Sequence, residues 1–268
     1  MNYTLNCNGR LLSLEEPQVM GILNVTPDSF YAGSRVQTER DIVSRAQQIV
    51  TEGGSMIDVG ACSTRPDSEP ATEQEEIERL RSALGIIRRE MPDAIISVDT
   101  FRPDVARMAV EEFGADIIND VGTPSTTHHP TPMHRMVTGL QVPYIYMSRK
   151  ATMRDILLDC AEVMDTLRAM GQKDIILDPG FGFGKTLEEN YAVLNNLERM
   201  QMTGLPVLVG VSRKSMIYKC LDIDPAQALN GTTVLNTIAL TKGASILRVH
   251  DVREAVEAVK LSNCKYPK

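Results

Sequence analysis

The sequence predicts an α/β chain wound as a single (β/α)8 TIM barrel, and three observations predict it. Eight short runs rich in Val, Ile and Leu alternate with longer segments whose apolar residues recur at helical spacing. The runs are apolar throughout, as in Ala94-Ile95-Ile96-Ser97-Val98, which suits strands covered on both faces. The 268 residues match the length of about 250 that such a barrel needs, and no linker-like stretch divides them, so one domain over residues 1–268 is expected. A doubly wound open sheet would share the local pattern, but eight units in this length favour the closed form.

Taken in order, Gln18–Leu23 opens the sheet and is followed by a helix over Thr38–Glu52, stopped at Gly53-Gly54. Met56–Gly60 is the second strand, and Thr72 caps a helix that runs to Arg89. Ala94–Val98 leads to a helix over Pro103–Phe113, with proline pre-set for the first turn. Asp116–Asn119 is the fourth strand; the Pro-, Ser- and Thr-rich segment Val121 to Thr131 after it reads as a surface loop. Pro143–Met147, Asp174–Asp178, Pro206–Val211 and Ser245–Val249 complete the eight. Their helices are expected over Met153–Met170, Leu187–Met202, Ala226–Thr241 and Val252–Leu261, with Lys242-Gly243 as a further glycine stop.

Composition narrows the function. With 28 Lys and Arg against 35 Asp and Glu, the net charge is −7, a poor electrostatic footprint for nucleic acid or anionic lipid. No apolar run reaches the ~18 residues of a membrane span, and Met1 to Leu14 lacks a signal-peptide core, so a cytoplasmic protein is expected. Five scattered cysteines, with no Cys-x-x-Cys pair, read as free thiols.

In a barrel of this kind chemistry sits where the strands end, and each expected strand delivers polar residues there. Arg65, Lys214, Arg248 and His250 form a cationic group in an acidic chain, which asks for an anion with several oxygens, a phosphorylated substrate. Asp99, Asn119 and Asp178 come from three different strands and suit a heterocycle with an amino-amidine edge, whose N–H groups a carboxylate can accept in pairs. Helix capping or salt bridging is the plainer alternative for each loop residue taken alone. Pro179 replaces the first glycine that Gly180-Phe181-Gly182-Phe183-Gly184-Lys185-Thr186 would need to be a P-loop. His128, His129 and His134 lack metal-site spacing and read as a solvated loop; Cys62 reads as a packed, inert thiol.

Taken together, Asn24-Val25-Thr26-Pro27-Asp28-Ser29-Phe30, Ser63-Thr64-Arg65-Pro66, Ser97-Val98-Asp99-Thr100, Ile118-Asn119-Asp120, Asp178-Pro179-Gly180-Phe181-Gly182-Phe183-Gly184-Lys185, Ser212-Arg213-Lys214-Ser215 and Arg248-Val249-His250-Asp251 resemble the dihydropteroate synthase family over nearly the whole chain. The resemblance implies condensation of 6-hydroxymethyl-7,8-dihydropterin diphosphate with 4-aminobenzoate in folate synthesis, a Mg2+ cofactor, a homodimer and a sulfonamide target. It implies a magnesium contact at Asn24 and pterin contacts at Asp99, Asn119, Met147, Asp178, Gly210 and Lys214. Diphosphate contacts fall on Thr64, Arg65, Arg248 and His250. Aminobenzoate contacts fall on Thr64, Pro66, Phe183 and Ser215, with mobile loops over Thr26 to Gly33 and Ser63 to Asp67. The catalytic set implied is Asp99, Lys214, Arg248 and His250, acting on a dissociative substitution in which Asp99 stabilises a cationic pterin methylene.

Two segments depart from the family. Ser148-Arg149-Lys150-Ala151 stands where Met-His-Met-Arg-Gly is usual after the fifth strand, and Gly60-Ala61-Cys62-Ser63 replaces Gly-Gly-Glu-Ser. Two rival functions stay open on the sequence: a pterin-binding methyltransferase of the corrinoid type, which has no use for the cationic group, and a non-catalytic pterin-binding paralogue, which the altered fifth loop allows.

Overall fold

The computed structural model describes residues 3–25, 35–62, 71–122 and 130–264, leaving out the side chains of 35–38. A hairpin of β1 (Thr4–Cys7) and β2 (Arg10–Ser13) precedes the repeating units. These follow as β3 (Gln18–Asn24), α1 (Arg35–Thr51), β4 (Met56–Gly60), α2 (Glu73–Glu90), β5 (Ile96–Asp99), α3 (Pro103–Phe113), β6 (Ile117–Asp120) and α4 (Pro132–Leu140). The second half is β7 (Tyr144–Met147), α5 (Met153–Ala169), β8 (Ile175–Asp178), α6 (Leu187–Asn195), β9 (Leu208–Val209), α7 (Ser215–Leu221), α8 (Leu229–Thr241), β10 (Ile246–Val249) and α9 (Val252–Ser262).

The sheet runs β8-β7-β6-β5-β4-β3-β10-β9, every pair parallel. Its two ends meet where the Leu177 N–H donates to the Pro206 carbonyl at 3.0 Å, with a parallel bridge between Leu177 and Val207. The expected barrel is therefore present, with all eight expected strands in their places. Pro206–Val211 shrinks to the two residues of β9, and Ala94–Val98 shifts to Ile96–Asp99.

Local chemistry sets the helix ends. Thr72 with Glu75 and Thr186 with Glu189 form reciprocal capping boxes at α2 and α6, and Gly114 closes α3 in the left-handed region at φ 61°. The helix expected over Leu187–Met202 breaks at Asn196, whose side-chain amide donates to the Ala192 carbonyl at 2.8 Å; a 3-10 turn over Leu197–Thr203 takes the rest. The segment expected over Ala226–Thr241 begins as a 3-10 turn, Pro225–Gln227, before α8. Two short helices, α4 and α7, were not expected. His134 lies on α4, buried edge-on against Tyr144 and Tyr146, so it is not the loop residue expected; His128 and His129 lie outside the described residues.

The interior follows from the alternation of side chains along a strand. Met20, Met56, Ile117, Ile145, Ile176, Leu208 and Ile246 point inward at the start of their strands and form one apolar cluster with Leu5, Cys7 and Leu14 of the hairpin segment. The intervening residues, such as Val19, Ile57, Ile118, Leu177 and Leu247, belong to the larger core shared with the helices. The hairpin thus plugs the end of the barrel where the strands begin. Asn8 and Gly9 turn it with φ of 51° and 84°, the pattern of a tight two-residue hairpin turn. Arg10 ties it to buried Asp116 at 2.9 Å, and Asp116 also accepts from Arg88 at 2.8 Å and from the Ile96 N–H at 2.9 Å. No helix among the described residues is long and apolar enough to cross a membrane.

Because Leu5 fills the plug, Leu5→Ala is expected to lower stability by about 2–5 kcal/mol while leaving ligand affinity at the opposite end within twofold. Urea unfolding beside ligand titration checks this.

Candidate active site

Two residues beyond the apolar layer, the inward position becomes polar on most strands, at Asp58, Asn119, Asp178 and Arg248, while β3 and β7 carry Ile22 and Met147 there and Gly210 follows β9. The register places Asn24, Gly60, Asp99 and Asn119 in one row across β3, β4, β5 and β6. One row below, Asp58 faces Ser97, and across the barrel stand Asp178 beside Met147 and Arg248 on β10. A single guanidinium organises this layer. Arg248 Nε donates to Asp58 Oδ2 at 2.6 Å and its Nη2 to Asp99 Oδ2 at 2.7 Å, while Asn119 Nδ2 donates to the same Asp58 oxygen at 3.2 Å. Burial works against the Arg248 charge, but Asp58 and Asp99 outweigh it and hold the group above its ordinary pKa. Burial also raises the Asp99 carboxyl, with Arg248 opposing, and raises Asp178, with Lys214 opposing.

The loop after β8 curls over the mouth. Gly180 and Gly182 sit at φ of 69° and 79°, and an ideal Cβ on Gly180 would lie 2.2 Å from the Ser148 carbonyl oxygen. The Gly180 N–H donates to Asp178 Oδ1 at 2.7 Å, which leaves Asp178 Oδ2 facing away from the turn. Lys214 extends under this loop: its Nζ donates to the Phe181 carbonyl at 2.5 Å and stands 4.7 Å above the Phe183 ring. Gly210 keeps the floor open, since a Cβ there would meet Lys214 Nζ at 3.9 Å and Arg248 Cβ at 3.8 Å. Burial lowers Lys214 to about 8, with Asp178 resisting. Ser215 opens α7 directly beside it.

The expected cationic group differs in charge from its formal count. Arg248 is matched by two carboxylates, and His250 is held below its ordinary range by desolvation first and Arg248 second, so it is an uncharged donor at neutral pH. Arg213 turns away from the mouth, clamping Asp251 through two bonds of 2.9 Å and the Ala226 carbonyl at 2.6 Å. Thr64, Arg65 and Pro66 lie outside the described residues, as do Thr26 to Gly33 and Ser63 to Asp67. The remaining expected residues, Asn24, Asp99, Asn119, Met147, Asp178, Phe183, Gly210, Lys214, Ser215, Arg248 and His250, lie at the strand ends of one barrel mouth or in the loops directly after them.

Three further groups belong to the mouth. Asp58, fully buried, was legible only as a charge at an inward position of an apolar strand. Lys185 donates to the Gly180 carbonyl at 2.9 Å and is lowered to about 8 by burial, Asp178 resisting. Arg149, from the departing fifth loop, stands 5.4 Å from the Phe183 ring centroid and donates to the Gly122 carbonyl at 3.0 Å. The neighbouring Ser148 hydroxyl donates to Asp159 at 2.5 Å, an anchor inside the fold. Cys62 is half-buried and its thiol is pushed up by burial and then by Glu76, which suits an inert thiol.

Residues 20–250 match the family described as pterin binding enzyme. The dihydropteroate synthase of Clostridium beijerinckii is 38% identical over 93% of this chain and 94% of its own length. Among solved structures, Xanthomonas albilineans dihydropteroate synthase with 4-aminobenzoic acid is 34% identical with a TM-score of 0.87, covering 97% of both chains. That of Coxiella burnetii in complex with pteroic acid is 33% identical with a TM-score of 0.84, also over 97% of both. Within the pterin-binding enzymes, the chain belongs to the dihydropteroate synthase family.

Two expectations follow from the site. Gly180→Ala is expected to cost at least about 2 kcal/mol, because the left-handed turn and the Ser148 carbonyl both reject a side chain; thermal unfolding reads it. Lys214 carries its proton below pH 8 and loses it above, so the mouth should hold sulfate, whose own charge is constant over this range, progressively more weakly from pH 8 to 9.5. Calorimetric titration across that range checks the sign.

Proposed function

We propose that this barrel mouth condenses 6-hydroxymethyl-7,8-dihydropterin diphosphate with 4-aminobenzoate, releasing diphosphate and 7,8-dihydropteroate. One observation carries the reading: open acceptors and cations with donors to spare meet at one barrel mouth. Among the described residues, Asp99 Oδ1, Asn119 Oδ1 and Asp178 Oδ2 accept no hydrogen bond, while Arg248 Nη1 donates none and Lys214 stands beside them. Such a mouth suits a flat heterocycle that donates N–H groups and carries an anionic leaving group. The 4-aminobenzoic acid and pteroic acid in the Xanthomonas and Coxiella enzymes are the arene substrate and a product-like molecule of this reaction.

Asp99, Asn119 and Asp178 accept from the pterin, with Lys214, Met147 and Gly210 shaping its seat. Arg248 and the neutral His250 donate to the diphosphate, joined by Thr64 and Arg65. The methylene carbon loses its bond to the diphosphate oxygen as positive charge develops beside Asp99, whose carboxylate stabilises it. The aminobenzoate nitrogen, its ring against Phe183 with Pro66, Thr64 and Ser215 around it, then forms the new C–N bond and gives up a proton.

Asn24 fits a magnesium contact. Its Oδ1 lies 3.3 Å from where a Cβ on Gly60 would sit, with Asp99 Cβ 3.5 Å away from the same point, so the absent side chain leaves a cradle between the two. Among the described residues no cluster of three His, Cys, Asp or Glu could hold a metal. Magnesium commonly keeps several waters and takes substrate phosphate oxygens, so few protein ligands are needed and Asn24 would be one of them. The ion would neutralise charge on the leaving diphosphate. We infer in addition a cytoplasmic homodimer; exposed Leu221 and Val234, on the neighbouring helices α7 and α8, offer it an apolar face, and sedimentation velocity tests it.

Purified protein given dihydropterin diphosphate and magnesium should release diphosphate only when 4-aminobenzoate is present, with dihydropteroate identified by mass. Tight substrate binding with no product would instead make the chain a non-catalytic paralogue. Lys214→Ala and Arg248→Ala should each lower turnover about 100-fold or more; wild-type rates in both would remove the cations from the mechanism.

A further inference from the structure

We infer that Asp58, which faces the site from beneath and has no surface of its own, is the positioning residue that sets the hydrogen-bonding polarity of the mouth. The inference rests on the proposed function for the identity of the ligand. Asn119 carries an amide whose two ends are nearly equal in shape but opposite in chemistry: one accepts, the other donates. The Asp58 Oδ2 already takes the Arg248 Nε proton and can only accept, so it selects the amide nitrogen of Asn119 at 3.2 Å and turns the amide oxygen toward the mouth. The same Oδ2 takes Arg248 Nε at 2.6 Å, which aims Nη2 at Asp99 Oδ2 and leaves Asp99 Oδ1 open. One buried oxygen therefore fixes two neighbours at once. Asp99, Asn119 and Asp178 together present acceptors alone, and a ligand edge must bring donors to all of them.

Without Asp58 the Asn119 amide is left to its other neighbours in the floor, which turn it the wrong way. The inward partners within reach of β6 are the carboxylate of Asp99 in the same row and the hydroxyl of Ser97 below it, and Asp99 would capture the amide nitrogen for itself. The row would then satisfy itself, withdrawing both the Asn119 oxygen and an Asp99 oxygen from the ligand. Asparagine at 58 behaves differently. It keeps an acceptor oxygen at the Oδ2 position, and its amide nitrogen falls where Asp58 Oδ1 is buried without a hydrogen-bond partner, so the orientation of Asn119 survives the loss of charge.

This separates orientation from mere packing. The test titrates 6-hydroxymethylpterin, which lacks the diphosphate, into wild type, Asp58→Ala, Asp58→Asn and Asn119→Ala, and the double variant Asp58→Ala with Asn119→Ala. Thermal unfolding and 4-aminobenzoate KM are followed in parallel. Asp58→Ala should weaken pterin binding roughly 10- to 100-fold, the worth of a hydrogen bond to a charged partner. Asp58→Asn should recover most of that loss, and 4-aminobenzoate KM should move less than threefold. In the double variant the loss should be smaller than the two single losses combined, since part of what Asp58 does passes through that amide and the rest through Arg248 and Asp99. Pterin affinity in Asp58→Ala within threefold of wild type overturns the inference, as does a strictly additive double variant. Asp58→Asn binding as weakly as Asp58→Ala overturns it in favour of charge alone. If Asp58→Ala does not fold, the rescue in Asp58→Asn is replaced as the criterion by Asp58→Ser, whose hydroxyl cannot reach both partners and should bind pterin at least tenfold more weakly than Asp58→Asn. Failure of the wild type to bind 6-hydroxymethylpterin at all would fall on the proposed function instead.

Discussion

Arg248 joins three strands that are not all neighbours. From β10 its side chain passes β3, the strand between, to reach carboxylates on β4 and β5. A guanidinium can do this because its donors form a rigid fork, and two carboxylates at 2.6 and 2.7 Å fix both the fork and each other. Such a buried group is tolerable only if complete: a carboxylate without its cation, or the reverse, would leave an uncompensated charge inside the barrel. The geometry of the mouth therefore depends on the whole of this triad.

The period of two along each strand places the triad. Inward positions begin with Met20, Met56, Ile117, Ile145, Ile176, Leu208 and Ile246, which pack on the hairpin, and the next inward positions hold Ile22, Asp58, Asn119, Met147, Asp178, Gly210 and Arg248. One end of the same lumen is a dry core, and the other is a polar basin a few ångströms away. Residues outside that parity, such as Val59, Val98 and Leu177, are held by the helices and never see a ligand.

This is also why the sequence shows some of the site and hides the rest. Continuous apolar runs and strand-end polar residues made the barrel, Asp99, Asn119, Asp178, Lys214 and Arg248 readable without coordinates. Their pairing was not readable: Arg248 looks like a free cation in sequence, and only folding brings Asp58 and Asp99 from residues 190 and 149 positions away. His250 likewise reads as a potential cation, although desolvation and then the charge of Arg248 hold it below its ordinary range. The hairpin had a local signature in Asn8-Gly9, but short strands give little periodicity around it. The short helices α4 and α7 carry too few turns for an apolar stripe to stand out.

The closure of the barrel is uneven. Adjacent strands elsewhere are paired at two to five positions, whereas β8 and β9 meet through one bridge at Leu177 and Val207. Asp178 follows one side of that seam, and Lys214 follows the other through a short turn. A ligand gripped by both residues thus acts as a clasp across the least-bonded join in the sheet. Its binding energy is felt by the whole cylinder, and loading the mouth should slow amide exchange along β8 and β9 as far as the apolar end, where no ligand reaches.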